Sequence, residues 1–136
     1  MSSQNVTKLS RTVPLILVVD DNQDNLFFVS CILDALNLQC VLATTSRDAI
    51  NQAINQQPNL ILLDMVIPEM DGMEITRRLK QNSFTKNIPI VAVTGLTESE
   101  HQQAIKESGC DDYICKPFTI EEMEAKIVYF LNLCLI

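Results

Sequence analysis

The 136-residue chain has no tryptophan, a single histidine, three glycines, five phenylalanines and two tyrosines. With so few aromatic residues, its core must consist mostly of Ile, Leu, Val, Met and Ala. A single histidine also excludes a His/Cys zinc site of the usual kind. The longest apolar run, near Ile127–Ile136, is far too short to span a bilayer, which needs about 20 apolar residues.

An excess of basic residues is missing as well. Ten Lys and Arg stand against 17 Asp and Glu, which gives a formal net charge of −7 and argues against direct nucleic-acid binding. The five cysteines are odd in number and contain no CxxC pair, so we expect buried free thiols in a reducing compartment. The polar N-terminus does not resemble a signal peptide. These features predict a soluble, cytoplasmic protein with no membrane contact.

The length fits one domain. Residues 1–13 are polar and are expected to form a flexible tail, and residues 14–136 a single folded domain. Within that domain, short apolar runs alternate with segments of helical periodicity. Five such β–α units in strict alternation predict an α/β fold with a doubly wound parallel sheet and helices on both faces. The predicted strands are 15–19, 39–43, 60–63, 89–94 and 112–115.

Polar side chains follow four of the five predicted strands. The first strand ends in Asp20 and Asp21, the third in Asp64, the fourth in Thr94 and the fifth in Lys116. In open parallel sheets, ligands bind beyond the carboxyl ends of the strands, where the strand order reverses. Each aspartate alone is more simply explained as a turn former or helix cap. The set of three with one lysine instead indicates a common site.

Three carboxylates in one cleft repel one another, so the site needs a cation or a retained proton. Hard oxygen ligands favour Mg²⁺, which binds one or two carboxylates together with phosphate oxygens; Mn²⁺ is the alternative. A carboxylate can also act as a nucleophile and form an acyl phosphate. Asp64 is the best candidate for that role, because it is single and central, whereas Asp20 and Asp21 form a pair suited to a metal.

Four segments resemble the receiver domain of two-component response regulators. They are LILVVDDNQDN at 15–25, LILLDMVIPEMDG at 60–72, PIVAVTG at 89–95 and GCDDYICKPF at 109–118. Together, in this order and at these separations, they are highly specific. The resemblance covers about residues 14–133 and implies a flavodoxin-like sheet of order 2-1-3-4-5.

The resemblance also implies a role for each site residue. Asp64 matches the phosphoacceptor, which takes its phosphoryl group from a phosphohistidine on a histidine kinase or phosphotransfer protein. Metal ligands are implied at Asp20, Asp21, Asp64 and the backbone carbonyl of Val66, with Asp21 the more direct ligand of the pair. The resemblance implies that Lys116, Thr94 and Gly95 bind the phosphoryl group. It also implies that Thr94 and Tyr113 act as the switch and that the peptide bond between Lys116 and Pro117 is cis.

We therefore expect a phosphorylation-operated switch that acts through protein contacts and turns over no external substrate. Its partner could also be a second copy, bound through the fourth helix, fifth strand and fifth helix. One alternative is a constitutive, phosphorylation-independent interaction module on the same fold. Another is an aspartyl-phosphate hydrolase, but Val66 stands where such enzymes favour an acid–base aspartate. By the family pattern, Val66 and Leu96 predict slow self-dephosphorylation. The chain could be a stand-alone receiver or part of a larger regulator or hybrid kinase.

Overall fold

The computed structural model describes residues 12–67, 69–95 and 99–132, and the side chains of Ser99 and Glu100 are not described. Nearly all of the predicted tail, Leu96 and the last four residues lie outside these ranges. Five strands alternate with five helices. The strands are β1 Leu15–Val19, β2 Gln39–Ala43, β3 Leu60–Asp64, β4 Ile90–Thr94 and β5 Asp112–Cys115. The helices are α1 Gln23–Ala35, α2 Ser46–Gln56, α3 Gly72–Gln81, α4 Ser99–Glu107 and α5 Ile120–Leu131.

All strand pairs are parallel, and the sheet order is β2-β1-β3-β4-β5. This confirms the predicted fold class and strand order. The three central strands are buried along their whole length, as their unbroken apolar sequences require in a sheet covered on both faces. β2 lies at one edge of the sheet, and of its five residues only Ala43 is buried.

Two hydrophobic clusters sandwich the sheet. Alternate residues of each strand, such as Leu17 and Ile61, face the layer of α2, α3 and α4. Their neighbours Val18 and Leu62 face the layer of α1 and α5. This alternation decides on which side of the sheet the polar residues at the strand ends emerge.

Side-chain caps mark the starts of four of the five helices. The side chains of Asn22, Thr45, Asp71 and Thr119 each accept a hydrogen bond from a backbone N–H of the first turn. Thr119 and Glu122 form a capping box.

The cysteines depart from the prediction of buried thiols. The four described ones are free, but Cys31 is exposed and the other three are half-buried. Cys31 is exposed because the buried stripe of α1 consists of Leu26, Val29, Ile32 and Leu33. The apolar runs around the cysteines therefore did not predict their burial.

Candidate functional site

The carboxyl edge of the sheet brings together the polar residues that follow four strands. Because β1, β3, β4 and β5 are consecutive neighbours in the sheet, Asp20, Asp64, Thr94 and Lys116 lie side by side at its edge. The register places Asp64 opposite Val93 and Thr94 opposite Cys115. Residues more than 40 positions apart in sequence thus meet in one place.

Three carboxylates form the centre of this edge. Asp20, Asp21 and Asp64 each offer an oxygen, and these oxygens all lie within 4.8 Å of one another. Asp20 and Asp64 are 6% and 8% exposed, whereas Asp21 is open to solvent. Burial raises the pKa of Asp64 above its ordinary value, and nearby Asp20 raises it further, while the Val66 N–H and Lys116 oppose the shift.

Hydrogen bonds hold both buried carboxylates. One oxygen of Asp20, Oδ1, accepts from the Asn22 N–H at 2.9 Å, and its Oδ2 accepts from the Asn25 side-chain amide at 3.2 Å. Asp64 Oδ1 accepts from the Val66 N–H at 3.1 Å. Each carboxylate therefore keeps a defined orientation.

Lys116 bridges the two buried carboxylates. Its Nζ lies 3.5 Å from Asp20 Oδ2 and 3.6 Å from Asp64 Oδ2. Its N–H donates to the Thr94 carbonyl at 2.7 Å, and its peptide bond to Pro117 is cis. Both side-chain distances exceed the roughly 2.7–2.9 Å of a close charged hydrogen bond. The ammonium group thus lies near both carboxylates without forming a close ion pair with either.

Thr94 and Tyr113 emerge on the other face of the sheet edge. Thr94 is 1% exposed, and its place in the alternation of β4 puts it on the side of α2, α3 and α4. Tyr113 is half-buried and packs against the same cluster. Gly95 is exposed, and a Cβ at that position would meet no atom within 4 Å. Val66 is 66% exposed beside Asp64.

Gly72 sets how closely α3 approaches the site. A Cβ at Gly72 would lie 2.7 Å from the Cα of Met65 and 2.8 Å from the carbonyl oxygen of Asp64. Its N–H donates to the Met65 carbonyl at 3.0 Å. The helix can therefore begin directly against the backbone that follows Asp64 only because the side chain is absent.

Sequence reasoning missed Asn25, whose amide binds Asp20 from the first turn of α1. The spacing of an asparagine four residues after an aspartate pair, leading into a helix, was the available signal. It also missed a cavity of about 400 Å³ beside the acids, lined in part by Asn25, Phe28 and Phe118. The rings of Phe28 and Phe118 stand 5.9 Å apart across it.

The donor set fits a hard divalent cation. Among the residues that the structure describes, three carboxylates with a single ammonium group within salt-bridge distance leave a negative surplus, and oxygen ligands at close range suit Mg²⁺. Hydrogen-bonded outer partners such as those of Asp20 are typical of metal sites. In the described part of the chain, no helix is both long and apolar enough to cross a membrane.

The acidic centre of this doubly wound sheet lies at the reversal of strand order, where open α/β sheets bind their ligands. A family model, the response regulator receiver domain, matches residues 16–128. The chain therefore belongs to the response regulator receiver domain family of two-component signalling.

Curated relatives agree. The phosphate regulon transcriptional regulatory protein PhoB of Pseudomonas aeruginosa is 35% identical over 112 residues, covering 82% of this chain and 49% of PhoB. This chain thus spans about half of that relative. The polar-differentiation response regulator DivK of Brucella ovis is 28% identical over 117 residues, covering 86% of this chain and 95% of DivK.

Among solved structures, the chain resembles the receiver domain of the sensor histidine kinase PA1611 from Pseudomonas aeruginosa. The TM-score is 0.83 at 25% identity, over 90% of this chain and 100% of that one. In that structure a magnesium ion is coordinated in the active-site cleft. The similarity extends to a receiver attached to a kinase as well as to the regulators PhoB and DivK.

Proposed function

We propose that Asp64 accepts a phosphoryl group from a phosphohistidine, with Mg²⁺ held by Asp20, Asp21, Asp64 and the Val66 carbonyl. The observation that supports this most is the cluster of three carboxylates within 4.8 Å, placed at the switch point of a receiver fold. Mn²⁺ would fit the same oxygen ligands. The donor partner is a sensor histidine kinase or a phosphotransfer protein.

In the reaction, an oxygen of Asp64 attacks phosphorus as the phosphorus–nitrogen bond of the donor breaks. The imidazole leaves and takes up a proton from solvent, and an acyl phosphate remains on Asp64. Bound Mg²⁺ supplies charge neutralisation on the phosphoryl oxygens. Lys116 is within reach of Asp64 and meets one phosphoryl oxygen, while Thr94 and the Gly95 backbone meet another.

The signal to a partner protein arises on the other face of the sheet, where Thr94 and Tyr113 lie at the ends of their strands. Thr94 moves toward the phosphoryl group, and Tyr113, which packs on the same side of the sheet, follows inward. The surface formed by α4, β5 and α5 then changes and is read by a partner protein or a second copy. Tyr129, on α5, is 73% exposed and available for such a contact.

The phosphoryl group is kept rather than passed to water. Val66 is largely exposed next to Asp64 and has no group that could move a proton. We therefore expect slow self-dephosphorylation. The proposed domain spans residues 14–136, and we expect it to turn over no external substrate. A phosphoryl lifetime of seconds, measured by loss of label after removal of the donor, would contradict slow self-dephosphorylation.

The decisive experiment is labelling with acetyl phosphate and MgCl₂, read by intact mass. Wild type should gain one phosphoryl group and Asp64→Asn none. Asp34→Asn, an exposed aspartate on α1, is the matched control and should label like wild type. Equal labelling of wild type and Asp64→Asn would refute the assignment.

The alternative, a constitutive interaction module, predicts a different result. Beryllofluoride with Mg²⁺ would then leave both the NMR spectrum and the sedimentation of the protein unchanged. We expect instead that resonances around Thr94 and Tyr113 shift. If the dimer proposal holds, the dimer fraction rises, and Tyr129→Glu lowers it.

A further inference from the structure

We propose that Asn25 is a positioning residue: its amide keeps the Asp20 carboxylate in the acidic cluster and prevents it from forming a close ion pair with Lys116. In that role it sets the affinity of the site for Mg²⁺. The inference rests on the metal site of the proposed function and adds a residue outside the predicted ligand set.

Asn25 and Lys116 approach the same oxygen. The Asn25 Nδ2 donates to Asp20 Oδ2 at 3.2 Å, and the Lys116 Nζ lies 3.5 Å from that atom. The other oxygen, Oδ1, already accepts from the Asn22 N–H at 2.9 Å. On one side, Asp20 therefore accepts from the Asn22 N–H at the cap of α1 and from the Asn25 amide in its first turn. On the other side, it faces the ammonium group of Lys116 on the β5–α5 loop.

The two donors differ in what they leave for a metal. A neutral amide orients the carboxylate but leaves its negative charge uncompensated. A close ammonium pair would compensate that charge and make the carboxylate a poorer ligand for a cation, because charged pairs attract more strongly than neutral ones. With the amide in place, Lys116 stands beyond close pairing distance from both Asp20 and Asp64.

The position of Asn25 is itself well fixed. Its N–H donates to the Asn22 side chain at 2.9 Å, which closes the first turn of α1. Its own side chain is half-buried and lines the cavity shared with Asp20, Lys116 and Phe28. An apolar side chain of similar size can occupy this wall, so Asn25→Leu removes the amide donor without requiring a new space.

The test is a double-mutant cycle in Mg²⁺ binding, measured by NMR titration of the whole chain with MgCl₂. The four proteins are wild type, Asn25→Leu, Lys116→Met and the double variant. Asn25→Leu should weaken Mg²⁺ binding roughly tenfold, the low end for loss of an outer-shell partner. Lys116→Met should tighten binding, since it removes the competing cation. In the Lys116→Met background, Asn25→Leu should change the affinity by less than about twofold.

Two controls separate positioning from folding. Gln23→Leu places the same apolar side chain on an exposed position of the same turn and should bind Mg²⁺ like wild type. Asn25→Gln keeps an amide donor and should recover part of the lost affinity. Thermal unfolding without Mg²⁺ reports whether any variant is destabilised as a fold.

Equal weakening by Asn25→Leu with and without Lys116 would overturn the inference, since a merely structural role predicts that result. No weakening in either background would overturn it too. In both cases Mg²⁺ binding by wild type would leave the proposed function standing. If wild type itself showed no Mg²⁺-dependent shift, the metal site and the role of Asn25 would fail together.

Discussion

At both the amino and the carboxyl ends of the strands a lysine lies beside aspartate, but the two arrangements differ in contact distance and in the number of acids. At the amino edge, the Lys80 Nζ lies 2.9 Å from Asp111 Oδ2 and 2.9 Å from the Ile88 carbonyl. The same Asp111 oxygen accepts from the Ile90 N–H at 2.8 Å. At the carboxyl edge, Lys116 stands 3.5 and 3.6 Å from two acids and a third acid is nearby.

This contrast shows how one fold uses similar charges for two purposes. The Lys80–Asp111 pair matches one charge with one charge and joins α3 to the starts of β4 and β5 through short bonds. The carboxyl edge keeps a surplus of negative charge and long contacts, which cost stability but leave room for a cation and a phosphoryl group. Charge balance thus distinguishes the edge whose ion pair stabilises the fold from the edge where we propose that Mg²⁺ binds.

The largest expected effect concerns Mg²⁺ itself. At about 100 times its dissociation constant, Mg²⁺ should stabilise the wild type by about 2.7 kcal/mol, because it binds only the folded cluster. Asp21→Asn should remove most of this gain. Asp111→Asn, at the other edge, should keep it. Melting curves with and without MgCl₂ measure both, and a full gain in Asp21→Asn would show that the cluster does not bind the ion.

Exchanging each lysine for methionine tests the two edges directly. Lys80→Met should cost about 2 kcal/mol of the free energy of unfolding, because a carbonyl and a carboxylate each lose their donor. The cost should be the same with and without Mg²⁺. Lys116→Met should cost less when Mg²⁺ is present than when it is absent, since the ion replaces the missing cation. Urea unfolding with and without Mg²⁺ measures both losses of unfolding free energy. If Mg²⁺ changed the loss in Lys80→Met and in Lys116→Met by the same amount, the distinction between the edges would fail.

Asp64→Asn should stabilise the protein near neutral pH, without Mg²⁺. Burial raises the pKa of Asp64, so the ionised carboxylate destabilises the folded state. The protonated acid favours folding below its ordinary pKa, and this contribution is lost as the pH rises through the raised pKa. The gain from Asn should therefore be a few degrees at pH 7 and shrink as the pH falls toward 4. Melting curves across this range, with Asp34→Asn as control, would contradict the prediction if the gain grew at low pH.

The smallest effects concern two glycines, one at each edge. Gly109, with φ of 105°, precedes β5 at the amino edge, and a Cβ there would lie 3.2 Å from Lys80 Cγ. Gly109→Ala should cost about 1 kcal/mol for a backbone that other residues rarely adopt. Gly95→Ala should stay within about 0.5 kcal/mol, because nothing lies within 4 Å of the added carbon. Unfolding free energies measure both, and a larger loss at Gly95 would reverse the expected order.

Much of the fold could be read from local patterns. The apolar runs before Asp20 and before Asp64 predicted buried strands, and the β–α alternation predicted the parallel sheet. The third strand includes Asp64 itself, one residue beyond the prediction, and the fourth begins at Ile90 because Pro89 has no N–H for the ladder. Strand order came from the resemblance rather than from any pattern in the residues.

The candidate site was predicted less completely than the fold. Sequence reasoning treated Asp20 and Asp21 as a pair, yet Asp20 is buried and accepts hydrogen bonds from Asn22 and Asn25, whereas Asp21 is exposed. The role of Asn25 was not predicted, because a polar residue in the first turn of a helix is ordinary and its partner Asp20 lies before that helix, directly after β1. The distances from Lys116 to its two acids depend on strands that meet only after folding.

Residue order thus decided which chemical groups end each strand, because apolar periodicity and the aspartates that interrupt it are local properties of the chain. Tertiary structure decided how those groups meet, because the order of parallel strands set their neighbours. The donors of Asp20, by contrast, are local: they come from Asn22 and Asn25, a few residues along the chain. Tertiary structure also decided that Lys80 closes on one acid whereas Lys116 is shared between two. The spacing of charges across a sheet depends on elements far apart in sequence, and only packing determines it.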